Sequence, residues 1–158
     1  MHFRDWELQA LDLLGEPLDD VQRFFFVSRY FDNLPAHLCL YLRHVRGLTP
    51  ADLPGVADAW ESGQLTQGEW DDVHDIDVVV AGTPVSAAAT QELHMAIQLE
   101  LRVDLPAVED IARRVNLLRK CGATVRAAVD GRFITPAAQR LAEQLGVTVL
   151  VRKAAPAA

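Results

Sequence analysis

No stretch of this 158-residue chain holds eighteen consecutive apolar residues, so nothing in it is long enough to cross a bilayer as a helix. Cysteine is scarce as well. Cys39 and Cys121 are far apart and form no CxxC pair, which argues against a disulfide framework and fits a reduced, cytoplasmic setting. The opening residues, MHFRDWELQA, lack a basic region followed by an apolar stretch, so no secretory signal is expected. No P-loop, Rossmann glycine pattern, G-x-S-x-G elbow or Cys/His metal spacing occurs, nor any internal repeat. Positive charge is in short supply: the formal net charge is -7, which weighs against nonspecific binding to nucleic acid.

The deficit is uneven. Residues 1–76 carry 14 Asp/Glu and 5 Arg, whereas residues 77–158 carry 8 Asp/Glu and 10 Lys/Arg. Half of all residues are hydrophobic, enough for one core, with or without a small appendage. Patterning predicts a helical segment over residues 1–70, an α/β core over 71–152 and a frayed tail over 153–158. Within the first part, residues 4–14 are amphipathic and end at Gly15 and Pro17. Residues 18–34 read as a helix with strand-prone character at RFFFVSRYF. Residues 35–47 read as a helix because Leu38, Tyr41, Leu42 and Val45 share a face and Gly47 closes it. His37 and His44, seven apart on that helix, are too separated to share a metal. Thr49 and Pro50 read as the cap and first position of a further helix.

After Asp75 the period changes. DIDVVVAG is a strand with an apolar centre, the mark of burial on both faces. LHMAIQLELRV alternates, with Ile97, Leu99, Leu101 and Val103 inward and Gln98, Glu100 and Arg102 outward. Helix, strand, helix and strand follow, the order of a parallel sheet with helices packed on it. The expected class is therefore α/β (α+β), a mixed sheet with flanking helices.

The chemistry concentrates where the first of these strands begins. In WDDVHDIDVVVAG, four aspartates and a histidine fall within seven residues. Asp77 is expected opposite roughly position 98 of the next strand, so that Asp77, Gln98 and Glu100 converge. Carboxylates that close repel unless neutralised. A divalent cation such as Mg²⁺, held by Asp77 and Glu100, would do so and could activate a water. The plain alternative is a hydrated sheet face with no metal. Asp71, Asp72, His74 and Asp75 read as a solvated approach to the strand. Cys121, at a helix C-terminus, sits where the dipole raises a thiol pKa.

These residues resemble the PD-(D/E)XK, or restriction-endonuclease-like, superfamily, in which an Asp opens one strand and an (E/Q)-x-K triplet lies on the next. Asp77 matches the Asp, and Gln98-Leu99-Glu100 matches the triplet, with Glu100 in the lysine's place. Residues 50–151 are similar to a group of uncharacterised prokaryotic proteins with a degenerate form of this domain, through ADAWESGQLTQGEW, DIDVVVAG, LRVDLPAVEDIARRVNLLRK and VDGRFITPAAQRLAEQLGVTVLV. The resemblance implies a restriction-endonuclease-like core and two alternatives. One is a non-catalytic or weakly catalytic module for binding or dimerisation, with a protein partner or second copy docked through the N-terminal helices. The other is a Mg²⁺-dependent DNA phosphodiesterase in which Asp77 and Glu100 hold the metal, Gln98 positions, and Arg102, Arg113 or Arg114 supplies the missing positive charge.

Overall fold

A computed structural model describes residues 19–86 and 91–151. The helix expected over residues 4–14, part of the connector before the second strand, and the expected tail lie outside the described residues. Among the described residues, no helix is long and apolar enough to cross a membrane.

Asp19 starts the first helix of the described residues, α1 (Asp20–Asp32), by accepting the Gln22 N–H, while the Gln22 side chain returns to the Asp19 backbone. A short helix α2 (Leu34–Leu38) follows, and then strand β1 (Leu42–Leu48). β1 corrects the expectation of one helix over residues 35–47. Its pairing with β2 (Val78–Pro84) shifts by one residue between Arg43 and Arg46, where His44 has a φ of 52°. The inserted residue is a β-bulge. It sets Leu42 and Val45, which pack on the same side of the sheet, three residues apart, and that spacing imitates a helical face. His37 and His44 consequently stand on different elements, His37 in α2 and His44 at the bulge.

A single 3-10 turn (Pro50–Asp52) leads to α3 (Val56–Glu61) and α4 (Gln67–His74). Thr66 and Glu69 close a capping box at the start of α4. Asp71, Asp72 and His74 are thus helical and Asp75 is the helix C-cap, so the approach to the strand is the last turn of a helix. The remaining elements are β3 (Leu93–Leu99), β4 (Arg102–Val103), α5 (Leu105–Lys120), β5 (Arg126–Asp130), β6 (Phe133–Ile134), α6 (Pro136–Leu145) and β7 (Thr148–Val149).

The α/β class is as expected. Five strands lie in the order β1-β2-β3-β5-β7, antiparallel from β1 to β3 and parallel from β3 to β7, and β4 and β6 form a small separate pair. One face of the sheet, with Val79, Ala96, Ala127 and Val129, packs against Val108, Ile111, Val115 and Leu118 of α5 and Ala138 and Ala142 of α6. The other, with Val78, Val80, Met95, Ile97 and Ala128, packs against Phe26 and Tyr30 of α1 and Leu34 and Leu38 of α2. β3 is the middle strand and is covered on both sides.

Ile97, Leu99, Leu101 and Val103 are buried as the alternation predicts. Gln98 is buried too, not on a hydrated face, because α5 covers its side of the sheet. β3 also stops at Leu99 instead of running to Val103. There the Glu100 N–H donates to the Asp130 carbonyl, and the chain bends toward the short pairing of β4 with β6.

The bend depends on a glycine. A Cβ on Gly131 would stand 1.8 Å from the Glu100 carbonyl oxygen, a backbone atom that cannot swing aside. A Cβ on Gly47 would meet only the ring of Phe31, a half-exposed side chain. Gly131→Ala should therefore cost roughly 2–3 kcal/mol, near the upper end for single substitutions. Gly47→Ala should cost less. Urea unfolding should show the larger fall in midpoint for Gly131→Ala, with the slope unchanged.

Candidate functional site

The pairing of Val78 with Ile97 carries Asp77 alongside Gln98, as the sequence register predicts. The Asp77 carboxylate is nearly inaccessible. Its Oδ2 accepts three hydrogen bonds: from Gln98 Nε2 at 2.8 Å, from the Leu99 N–H at 2.8 Å, and from Arg23 at 3.1 Å. Glu100 lies on the same guanidinium, with Arg23 Nη2 donating to its Oε1 at 2.5 Å. Arg23 Nη1 donates also to the Leu99 carbonyl at 2.9 Å. One guanidinium thus gathers two carboxylates and a backbone carbonyl at the end of β3, and it comes from α1.

Gln98 is held from both sides. Its Nε2 donates to Asp77, and its Oε1 accepts from Arg114 Nη1 at 2.9 Å. Arg114 Nε donates to Asp72 Oδ1 at 2.9 Å, and Arg113 donates to both Asp72 oxygens at 3.0 Å. A continuous chain therefore runs from Arg113 through Asp72, Arg114, Gln98, Asp77 and Arg23 to Glu100. Opposite charges alternate along it, and it ties α5, α4, β2, β3 and α1 together. A second tie lies two turns along α1, where the Tyr30 hydroxyl donates to buried Asp130 at 2.7 Å and the Gly131 N–H donates to the other Asp130 oxygen.

Burial pushes the Asp77 carboxyl above the ordinary aspartate range, against the opposing pull of the Leu99 N–H and the Arg23 charge. For Arg23 burial acts downward, and Asp77 and Glu100 more than offset it, so the guanidinium titrates above its usual value. Asp72 is held below its range, chiefly by the Arg113 hydrogen bond despite some desolvation, and then by Arg114. The Cys121 thiol is raised, as expected, with burial as the main cause.

The structure thus brings Asp77, Gln98 and Glu100 together. Arg102 is not with them: it points to Asp104, 3.9 Å away. Of the basic residues weighed as a source of charge, Arg114 reaches Gln98, and Arg113 stops at Asp72. His74 lies against Trp70, and His94 sits beside Glu92, at the other end of β3. The residue that sequence reading missed is Arg23. Its signal was a lone cation three and seven residues before Phe26 and Tyr30, on the otherwise apolar inward face of the helix.

Asp77, the Leu99 carbonyl and Glu100 are hard oxygens of the kind Mg²⁺ takes. All three are engaged by Arg23, whose charge stands where the ion's would. Among the described residues, no three His, Cys, Asp or Glu side chains are grouped to hold a metal. With Arg23 in place the oxygens do not fit the ion.

Arg23→Gln should leave Asp77 buried without its counter-charge. A fully buried pair broken on one side costs roughly 3–5 kcal/mol, and an exposed one at most about 1. Arg23 is partly exposed, so a loss of roughly 1–3 kcal/mol is expected. Because Asp77 titrates above its ordinary value in the native state, that state binds the proton more tightly than the unfolded chain. Its contribution to stability therefore falls as pH rises from the ordinary aspartate range through the raised value, and is constant above it. Removing Arg23 raises the value further. The gap between wild type and Arg23→Gln should be full at about pH 7 and shrink toward about pH 4, measured by denaturant unfolding at each pH. A gap that does not change with pH would reduce Arg23 to a packing residue.

Comparison with protein-family models, with curated proteins and with solved structures found no match.

Proposed function

We propose that this chain is a non-catalytic, or at most weakly catalytic, interaction module on a PD-(D/E)XK-like sheet, working in the cytoplasm. The observation that supports this is the position of Arg23. Metal-assisted phosphodiester hydrolysis needs an ion with an open coordination position and a nearby charge to stabilise the developing phosphorane. Here Arg23 takes up both carboxylates and the carbonyl between them. Gln98 has a matching structural role: its amide donates to Asp77 and accepts from Arg114, and a glutamate there would set a second carboxylate against Asp77. The residues that match the nuclease triplet are thereby used to fasten α1 and α5 to the sheet.

The alternative is a Mg²⁺-dependent DNA phosphodiesterase with Asp77 and Glu100 as ligands and Gln98 as a positioning residue. What favours it is that three hard oxygens face a single cation, so withdrawal of Arg23 would leave a ligand set. The net charge of -7 opposes binding to DNA.

Thermal unfolding in Mg²⁺ and Mn²⁺, against NaCl of matched ionic strength, separates the two. A metal present at about a hundred times its Kd would stabilise the native state by about 2.7 kcal/mol, several degrees in Tm for a domain of this size. The expected result is no metal-specific shift in wild type and no cleavage of plasmid DNA. A saturable rise that Asp77→Asn abolishes, accompanied by cleavage, would establish the phosphodiesterase instead.

A further inference from the structure

We infer that Gln98 links the two faces of the sheet: through it the Asp72–Arg114 pair, at the surface of α4 and α5, sets how firmly Arg23 holds α1 on the opposite face. The partly exposed Asp72 carboxylate is thereby a control point for a helix that it does not touch. Hydrogen exchange and unfolding read this link, so it stands or falls apart from the interaction-module reading.

The two helices concerned share no apolar cluster. α5 packs with Val79, Ala96 and Val129 on one side of the sheet, and α1 packs with Val78, Val80 and Ile97 on the other. Asp77 stands one residue before Val78, the first position at which β2 pairs with β3. Its carboxylate is therefore at the sheet end, within reach of both sides. Arg23 comes to it from α1 and Gln98 from the α5 side, and both donate to the same oxygen, Oδ2.

The chemistry of the amide makes this junction directional. A guanidinium has donors alone, and an ionised carboxylate has acceptors alone. The Gln98 amide therefore satisfies both neighbours in a single orientation, Oε1 to Arg114 and Nε2 to Asp77, at 2.9 and 2.8 Å. Its dipole lies between a cation and an anion, and each bond strengthens the other. Arg114 is fixed in turn by Asp72, which accepts from its Nε at 2.9 Å. Gln98 and Arg114 are largely buried, whereas the Asp72 side chain is 21% and that of Arg113 53% exposed. The chain of bonds is thus closed in the middle and open to solvent at the α4–α5 end. Neutralising Asp72 frees Arg114, leaves Gln98 Oε1 without a fixed donor and lets the amide turn. Asp77 then loses one of its three donors, takes a proton more readily and draws less on Arg23. Gln98 is a positioning residue here, acting on Arg23 through Asp77.

Native-state hydrogen exchange reads the hold on α1, because separate elements open with their own free energies. In Asp72→Asn the amides of α1 should exchange about five times faster, the equivalent of one net hydrogen bond. Those of α6, which packs against α5 on the other side of the sheet from α1, should change by less than about twofold. An ordinary loosening of packing around Asp72 would reach α6 before α1. Equal acceleration in α1 and α6, or acceleration confined to α4 and α5, would overturn the inference. A double-mutant cycle by urea unfolding provides the second arm. Asp72→Asn with Arg23→Gln should shift the unfolding constant by about fivefold less than the product of the two separate effects, whereas independent sites agree within about twofold. Gln98→Met, which removes both bonds at similar volume, should abolish that coupling. Additive single effects, or a coupling that persists in the Gln98→Met chain, would overturn the role of Gln98.

Discussion

The guanidinium of Arg23 is the point on which the rest of this structure depends. It reaches Asp77, Glu100 and the Leu99 carbonyl in one span, and so neutralises two acidic groups that would otherwise repel at the end of two neighbouring strands. Through Gln98 and Arg114 the same bonding extends to Asp72 and Arg113 on the far face of the sheet. The chain of alternating charges closes the sheet end on which the triplet lies. Broken at one member, it would leave a buried carboxylate or amide without its partner, which costs more than the bond itself contributes.

Because Arg23 belongs to α1, the helix that seals one face of the sheet also settles the electrostatics of the site. A chain with the same strands and no Arg23 would present a carboxylate pair open to a cation. In the reading proposed here, the ligand positions hold α1 in place, and the helix so held leaves Val21, Phe24 and Phe25 exposed on its other side. The polar anchor and these exposed residues are then two consequences of one helix: the first fixes its orientation, and the second is what that orientation exposes.

Much of this was legible in the residues. The α/β class followed from the change of period after Asp75, and the Asp77–Gln98 register followed from a hairpin whose alternation fixes which residues oppose. Three things were misread for physical reasons. The bulge at His44 stretched the apolar spacing of β1 from two to three, which made a strand look helical. Asp71, His74 and Asp75 are exposed as expected, but Asp72 looked solvated because its partners, Arg113 and Arg114, lie about forty residues away in sequence. Gln98 looked exposed because alternation tells which residues share a face, not whether the opposite face is covered as well.

What the sequence by itself determined is local and periodic: the strands and helices that follow Asp75, by apolar spacing, the caps that Asp19, Thr66 and Thr135 supply to their own helices, and which residues of two adjacent strands come opposite one another. What only the tertiary structure decided is which cation answers Asp77 and Glu100. Arg23 lies 54 residues from the first and 77 from the second, and no local pattern couples positions that far apart. A divalent ion and a guanidinium satisfy the same carboxylates at the level of sequence. The packing of α1 on the sheet supplies the guanidinium, because burying Phe26 and Tyr30 against the strands brings Arg23 to the sheet end.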